Sequence, residues 1–413
     1  MQMAVLAEHG FLRNRLAELF AHVRCKQVAV GLLCAGESSY ALVGDHAEAE
    51  SFATPTGCLT KLFTATLARN ACAAGWFGLD DRIVDLLEPA AASSADALDG
   101  VTIRQLLEHT HGLDDTMIAR VPYQPDGFID CNELRAELAA ATPLAEPGKL
   151  YSYANAGAWL IGALLERCSG RRYDALLRDQ VLTVPAAGSE GALICPSIGG
   201  ALTVTIVDML EFLRRHALDG EQPWPSDARL GDIAPLPGWN ALERGVYLGW
   251  KYHGGGWFGH SSAWPRASAL VRIHPQYRVA FAIASREHPA PVVAAKLFGR
   301  IFPELVDFRI PPTLDAERAR RLDLDRYVGV YRSAARSVQI SRDGECLHLR
   351  SQQLDRNGVR RHLAGAVLRA AANDVFFARP ADIDSFTCVQ FISPRSGRFD
   401  YLWNGRFVLR RIR

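Results

Sequence analysis

A cysteine and a lysine stand three residues apart at the start of an apolar stretch with helical periodicity, in Gly57-Cys58-Leu59-Thr60-Lys61. Residues three apart share one face of a helix, so the ammonium of Lys61 can lie near the sulfur of Cys58. A nearby ammonium and the positive end of a helix dipole both favour a thiolate. The pair therefore points to a cysteine nucleophile, although a cysteine at a helix start, taken alone, is more often a packed small hydrophobic residue.

Two further segments combine polar side chains with small ones. In Tyr151-Ser152-Tyr153-Ala154-Asn155, which precedes an apolar helix, the phenol of Tyr153 and the amide of Asn155 can both face a cleft. An asparagine at this point is also a common helix N-cap. The segment Trp257-Phe258-Gly259-His260-Ser261-Ser262-Ala263 predicts a strand whose small residues let a ligand approach the backbone. Each segment alone is compatible with a structural role.

In order and spacing, the three segments together resemble the motifs S-x-x-K, Y-x-N and K/H-x-G of the serine β-lactamase and penicillin-binding-protein superfamily. The resemblance is to its class C β-lactamase, esterase and D-aminopeptidase branch. The matching residues are Cys58-Leu59-Thr60-Lys61, Tyr153-Ala154-Asn155 and His260-Ser261-Ser262. The stretch from Thr102 to Leu113 also looks like a connecting segment of the family. The resemblance covers about residues 25 to 290.

Two positions depart from the family pattern. Cys58 stands where the family has serine, and Ser262 stands where the third motif has glycine. The first departure changes the chemistry of the nucleophile, and the second narrows the floor of the cleft. A cysteine introduced in place of a native serine would leave the same pattern.

The resemblance implies a role for each residue of the first two motifs. Cys58 would attack a carbonyl carbon and form an acyl-enzyme, which water or another acceptor then resolves. Lys61 would stabilise the thiolate or act as its base, and Tyr153 would relay a proton to the leaving group. Asn155 would orient Lys61 and the bound substrate.

The third motif supplies the remaining expected contacts. By analogy with the family, the backbone N–H groups of Cys58 and Ala263 would form the oxyanion hole. His260 would take the place of the lysine found in β-lactamases, as it does in many esterase-like members. Ser261 and Ser262 would line the substrate site.

The elements predicted around these segments alternate helices and strands. A hairpin is expected at 28–34 and 40–43, turning at residues 36–38, and a helix from Cys58 to about Ala74. Further helices are expected at 133–141, 155–168 and 203–217, before a strand meander at 246–285. These elements predict a mixed α/β (α+β) domain with a helical insertion. The resemblance implies that its sheet is the β-lactamase/transpeptidase-like antiparallel sheet, flanked by helices and carrying a helical subdomain.

A second, smaller domain is expected after a stretch that contains prolines and charges, at 310–321. Short strands and turn signals follow it, which is typical of an all-β domain. Tyr327-Val328-Gly329-Val330-Tyr331 looks like the first strand of the lipocalin-like β-domain that some relatives carry. We therefore predict a catalytic domain at 1–310 and a lipocalin-like domain at 322–413.

Composition limits the classes of partner. The chain has 413 residues, 49% hydrophobic and 22% charged, with a formal net charge of +1. This charge gives no field that would collect nucleic acid or an anionic membrane, and no window is apolar enough to span a bilayer. The nine cysteines are scattered without C-x-x-C spacing, which suits a reducing cytoplasm. The N-terminus reads as mature sequence, and we expect no metal and no cofactor.

Three functions remain open at this point. A cysteine acyl-enzyme is a thioester, which exchanges readily with thioesters and yields well to amines, and this favours an acyltransferase in a biosynthetic pathway. Its partners would be a small-molecule acyl donor and an acceptor, the donor being free or held by a carrier protein. A hydrolase of esters, amides or D-amino-acid peptides would use the same residues. A non-catalytic binding protein with a decayed site is the third alternative.

Overall fold

Strand-forming segments that are far apart in the chain pair with each other in one sheet. In the computed structural model the first nine strands are β1 (Gln27–Cys34), β2 (Glu37–Gly44), β3 (Thr54–Pro55), β4 (Thr203–Val204), β5 (Gly245–Tyr247), β6 (Trp250–Gly254), β7 (Trp257–Trp264), β8 (Ala267–His274) and β9 (Val279–Arg286). Seven of them form one antiparallel sheet in the order β2-β1-β9-β8-β7-β6-β5, and β3 pairs separately with β4. The sheet thus joins the two ends of a long, mostly helical segment.

The structure describes part of the chain. The described ranges are 27–44, 52–87, 98–114, 126–134, 143–182, 194–197, 202–220, 245–264, 267–286, 322–354, 360–378, 387–395, 398–404 and 407–412, with gaps at 35, 335 and 373, and the isolated residues 14, 18, 123, 124, 224, 290, 293 and 297.

In the described part of the chain, six bounded α-helices lie between and beside these strands. They are α1 (Thr60–Ala73), α2 (Ile83–Leu87), α3 (Ile103–Leu107), α4 (Ala156–Ser169), α5 (Tyr173–Gln180) and α6 (Ile206–Leu213). A 3-10 turn (Gly57–Leu59) precedes α1, and a π-helical turn (Arg214–Leu218) follows α6. Helix α3 begins at the Thr102 N-cap, whose side chain accepts from the Gln105 N–H while the Gln105 side chain accepts from the Thr102 N–H.

Helix α6 packs directly on strands β1 and β9 of the sheet. A Cβ atom at Gly31 of β1 would lie 2.5 Å from the Cγ2 of Ile206, so only glycine allows this close approach. Strand β1 reads as one apolar run, and Val28, Ala29 and Val30 are fully buried, as expected of a strand covered on both faces. The sheet is therefore a rigid platform for the helices that carry the site.

The C-terminal strands close into a separate barrel. They are β10 (Gly329–Arg332), β11 (Arg336–Asp343), β12 (Cys346–Leu354), β13 (Arg360–Ala372), β14 (Val375–Ala378), β15 (Thr387–Arg395), β16 (Arg398–Trp403) and β17 (Val408–Arg411), and β10 pairs with β17. Tyr327 stacks on Phe399 inside it, with ring centroids 5.1 Å apart. Closure leaves the barrel without an exposed sheet edge.

The predicted fold class is confirmed: an antiparallel sheet with helices is followed by an all-β barrel. Strand β2 begins at Glu37, so the hairpin turns slightly earlier than expected, and Cys58 lies in a 3-10 turn while the α-helix begins at Thr60. Residues 310–321 and most of 133–141 lie outside the described residues, so the domain boundaries stay a prediction. No helix in the described part of the chain is long and apolar enough to cross a membrane.

Candidate active site

Cys58 sits at the entry to helix α1, on a turn that two threonines hold. The Thr60 hydroxyl donates to the Gly57 carbonyl at 2.8 Å and lies 2.8 Å from the Thr56 hydroxyl. Cys58 itself is half-buried and packs against an apolar cluster containing Tyr153. The turn therefore presents the sulfur at the edge of the helix layer and not inside the core.

Lys61 is the most constrained charge of the site. Its side chain is 4% exposed, and its Nζ donates to Asn155 Oδ1 at 2.7 Å and to the Ser197 carbonyl at 2.9 Å. The same Nζ lies 4.8 Å from the centroid of the Tyr153 ring. A buried ammonium is costly unless it is hydrogen-bonded, and here two acceptors fix its position beside the tyrosine.

Asn155 acts on Lys61 and not on the helix that it begins. It is the N-cap of α4, but its side chain makes no capping hydrogen bond. Its Oδ1 accepts from Lys61 instead. Of the two roles that the sequence left open for Asn155, the structure supports the one directed at the lysine.

His109 holds the backbone of the tyrosine segment. Its carbonyl accepts from the Ser152 N–H at 3.0 Å, and its Nδ1 accepts from the Ala154 N–H at 3.3 Å. Its ring lies 4.6 Å from the Tyr153 ring, centroid to centroid. His109 thus positions the backbone on both sides of Tyr153.

Strand β7 brings the third segment to the turn that carries Cys58. Within the described residues, β6 pairs with β7 only from Trp257 to Gly259, so from His260 onward that edge of β7 faces the 3-10 turn carrying Cys58. Ala263 is exposed and lies on this edge segment, while Ser262 is buried. The oxyanion hole formed by the N–H groups of Cys58 and Ala263 stays a prediction, and this arrangement is compatible with it.

His260 is a neutral side chain. Its Nδ1 donates to the Ser261 carbonyl at 2.9 Å, which leaves Nε2 as an acceptor. Burial, together with the positive charges of Lys251 and Lys61, holds the pKa of His260 well below its usual value. Nε2 of His260 and Oγ of Ser262 are buried and have no hydrogen-bond partner among the described residues. These two atoms can therefore contact a bound substrate.

A second lysine, which sequence reasoning missed, completes the group. Lys251 on β6 is 7% exposed, and its Nζ lies 4.9 Å from the Tyr153 ring centroid. The turn before β6 places it: Leu248 and Gly249 have φ values of 43° and 88°, and Gly249 lies against Ala65 of α1. A single lysine between Trp250 and Tyr252 in an apolar strand was the available signal for it.

The barrel forms one wall of the site. The Val408 N–H donates to the Ser152 hydroxyl at 3.1 Å, and the Phe407 ring lies 6.5 Å from the Tyr153 ring. Val375, Trp403 and Val408 belong to the same buried cluster as Tyr153. On another side, the Ala334 N–H donates to Asp114 at 2.6 Å. The C-terminal strands are therefore part of the architecture around Tyr153.

The described side chains offer acid–base and nucleophilic chemistry at this site. Two ammonium groups, a phenol, a neutral imidazole and a half-buried thiol converge here. Among the described residues, no group of three His, Cys, Asp or Glu side chains could hold a metal ion. Loops around a binding site commonly set specificity, and residues 115–122 and 225–244 lie outside the described residues. Trp224 packs on Phe258 with ring centroids 4.5 Å apart.

Known proteins share both the sequence pattern and the fold. A sequence model described as Beta-lactamase matches residues 28–302. Penicillin-binding protein 4 of Amycolatopsis lactamdurans is 23% identical over 320 residues, which cover 67% of this chain and 83% of that protein.

Two solved structures show the likeness in three dimensions. The crystal structure of SurE with D-Leu has a TM-score of 0.71 and 23% identity, covering 100% of this chain and 99% of that one. A β-lactamase/D-alanine carboxypeptidase from Yersinia pestis has a TM-score of 0.55 and 17% identity, covering 73% of this chain and 99% of that one. At these identities the structures establish the fold, and the sequence match over residues 28–302 establishes that the chain belongs to the beta-lactamase family.

Proposed function

We propose that the protein is an acyltransferase in which Cys58 carries the acyl group as a thioester. The donor is a thioester, ester or amide, either a small molecule or a group bound to a carrier protein, and the acceptor is an amine or a hydroxyl. Cys58, Lys61 and Tyr153 act on the reacting atoms, and Asn155 holds Lys61. His260, Ser261 and Ser262 line the substrate site, and the N–H groups of Cys58 and Ala263 bind the oxyanion.

The observation that carries this proposal is the buried ammonium of Lys61. It is fixed by Asn155 and the Ser197 carbonyl beside the Tyr153 ring. Packing an apolar side chain in its place would avoid the desolvation of a charge, so a site that has stopped functioning has no physical reason to retain the lysine. Charged groups held in a cleft at a free energy cost are typical of catalytic sites.

The proposed acyl transfer proceeds in two steps. In the first, the Cys58 thiolate attacks the acyl carbon, the C–S bond forms, the bond to the leaving group breaks, and the leaving group takes the proton of Tyr153. In the second, the acceptor attacks the thioester, its proton goes to the Tyr153 oxygen, and the Cys58 thiolate departs. The net change moves the acyl group from donor to acceptor, and one negative charge passes from sulfur to the phenol oxygen and back.

The related proteins suggest which acyl groups to test first. D-Leu is present with SurE, and the relative from Yersinia pestis is a D-alanine carboxypeptidase by name. We infer that the acyl group of this protein's donor contains a D-amino acid. The neutral His260 Nε2 and the Ser262 hydroxyl supply the buried polar contacts that could distinguish one substrate configuration from the other.

Intact-mass measurement tests the acyl-enzyme. The protein is incubated with D-aminoacyl and L-aminoacyl thioesters and with β-lactams, and the adduct is located by peptide mapping. We expect an adduct on Cys58 that is absent from Cys58→Ala and unchanged in Cys168→Ala, which removes an exposed free thiol. Burial raises the pKa of the Cys34 and Cys72 thiols, which disfavours their attack. Absence of an adduct with every donor would exclude the acyl-enzyme.

Hydrolysis is the second candidate, because hydrolases of this fold use the same set of groups. It is separated from transfer by adding amine acceptors to the preformed adduct. We expect the amide product to form at the expense of the free acid as the amine concentration rises. Formation of the free acid alone, at a rate independent of amine, would identify a hydrolase.

A further inference from the structure

The Tyr153 ring lies near the ammonium groups of two lysines that come from different elements of the fold. Lys61 reaches it from helix α1 and Lys251 from strand β6, with Nζ-to-centroid distances of 4.8 and 4.9 Å. Both lysines are buried. Lys251 is held in place by the turn at Leu248 and Gly249, which packs against α1. Its buried position is therefore fixed by the fold and does not depend on the conformation of a flexible surface side chain.

The third motif does not supply this second charge itself. His260 stands at the position that the family resemblance assigns to a lysine, and its pKa lies well below its usual value because it is buried beside Lys251 and Lys61. His260 is therefore uncharged at neutral pH. The positive charge that a lysine would bring from β7 comes instead from the neighbouring strand.

The proposed reaction creates a need for that charge. Before acylation the negative charge resides on the Cys58 sulfur, and after the leaving group takes the phenolic proton it resides on Tyr153. Tyr153 is 2% exposed and packs against the barrel wall, where water can stabilise a phenolate only weakly. A cation at each lysine position lowers the free energy of this state.

We propose that Lys251 is a positioning residue for proton transfer, whose ammonium stabilises the phenolate of Tyr153 between departure of the donor's leaving group and arrival of the acceptor. The inference rests on the proposed function. It assigns to Lys251 a role that neither the three motifs nor the sequence resemblance includes.

The side chains around Tyr153 determine which ionisations can affect the pH dependence of acylation. Among the described residues they are Lys61 from α1, Lys251 from β6, His260 from β7 and His109 from the loop after α3. The barrel presents Phe407, which does not titrate. His260 is uncharged near neutral pH because burial lowers its pKa. Nδ1 of His109 accepts a hydrogen bond from the Ala154 N–H.

The test compares donors whose leaving groups differ in their need for a proton. Single-turnover acylation of Cys58 is measured with an alkyl thioester, whose leaving thiol is basic, and with a nitrothiophenyl thioester, whose leaving group departs as a stable thiolate. For Lys251→Met we expect acylation about 100-fold slower with the alkyl thioester and nearly unchanged with the nitrothiophenyl thioester. Its pH profile with the alkyl thioester should shift relative to the wild type.

Two matched variants control for packing and for loss of any lysine. Lys251→Arg keeps a cation and should restore most of the rate with the alkyl thioester, while Lys149→Met removes an exposed lysine close to the same tyrosine in sequence and should have no effect. An equal loss with both donors, or no loss with either, would overturn the role of Lys251. A wild-type protein that forms no adduct on Cys58 overturns the proposed function itself, which is a distinct result.

Discussion

The ammonium of Lys61 donates a hydrogen bond of 2.7 Å to Oδ1 of Asn155, although 94 residues separate the two in the chain. This contact ties helix α1 to the start of helix α4. It also directs the Asn155 side chain away from the helix end that it would otherwise cap. The position of the lysine beside Tyr153 therefore depends on a residue from another segment.

Replacing Asn155 with alanine should slow acylation of Cys58 by about 10- to 100-fold, because Lys61 loses the Asn155 acceptor and moves relative to Tyr153. The free energy of unfolding should fall by about 1 to 3 kcal/mol, since a buried charged donor is left less satisfied. Stopped-flow acylation and urea unfolding measure the two effects. Asn70 lies near the other end of α1 and donates a partly buried hydrogen bond to Gln180. Asn70→Ala should therefore leave acylation unchanged. Equal rates for the two variants would contradict this role of Asn155.

Glu108 should make stability depend on pH. Burial raises its pKa to about 7 in the folded protein, while the unfolded value is about 4.3. Between these values the folded state binds more protons than the unfolded state, so stability falls as pH rises through the window and is level above it. We expect a loss of about 1 to 3 kcal/mol between pH 4.5 and pH 7.5 from this group.

Thermal unfolding of Glu108→Gln checks this pH dependence. The amide stays neutral at every pH and can still accept from the Leu248 N–H, so the slope contributed by Glu108 should disappear. Glu133→Gln, at an exposed position, serves as the control and should keep the wild-type slope. A wild-type slope in Glu108→Gln would show that another group is responsible.

Gly249 should tolerate a methyl group poorly. Its φ is 88°, and an added Cβ would lie 2.7 Å from the Cβ of Ala65 on α1. Gly249→Ala should therefore lower the free energy of unfolding by about 2 to 4 kcal/mol, combining backbone strain with overpacking. Gly344→Ala has a similar φ of 57° with open space around it, and should lose only about 1 kcal/mol. Urea unfolding of both variants separates the cost of backbone strain from the cost of overpacking against α1. Equal losses in the free energy of unfolding would mean that contact with α1 is unimportant.

Ser152 should link the stability of the barrel to that of the site. Ser152→Ala leaves the buried Val408 N–H without its acceptor, which should cost about 1 to 3 kcal/mol. Ser39→Ala, on an exposed part of β2, should change little. Limited proteolysis reports release of the barrel in the first variant, and an unchanged digestion pattern would argue that the apolar cluster alone holds the barrel in place.

The sequence allowed prediction of those parts of the fold that local patterns control. The periodicity around β1, α1 and the meander that ends with β9 predicted the elements, and the Thr102 N-cap was recognisable from its neighbours. The site residues that the sequence predicted have reactive or polar side chains and lie within recognisable motifs. The structure brings Lys61, Tyr153, Asn155 and His260 together, with Cys58 against the same cluster.

The other contributors have no such local signature. The Ser197 carbonyl is a backbone group that any residue provides, so its role could not be read from residue type. Lys251 reaches the site because β6 pairs with β7 in a particular register, and Phe407 because the barrel packs on the tyrosine segment. Both depend on long-range packing, which a periodicity argument does not contain. His109 makes its contacts to the tyrosine segment with a backbone φ of 56° that the sequence does not reveal.

The hydrogen bond between Ser152 and Val408 also has a consequence for the order in which a newly made chain matures. Because ribosomes build a chain from its N-terminus, Cys58 and Lys61 are made long before β17. The wall around Tyr153 cannot close until that last strand has emerged and paired with β10. A growing chain therefore carries its Cys58 thiol beside an unfinished wall, and we expect the proposed acyl transfer only after translation has passed the barrel.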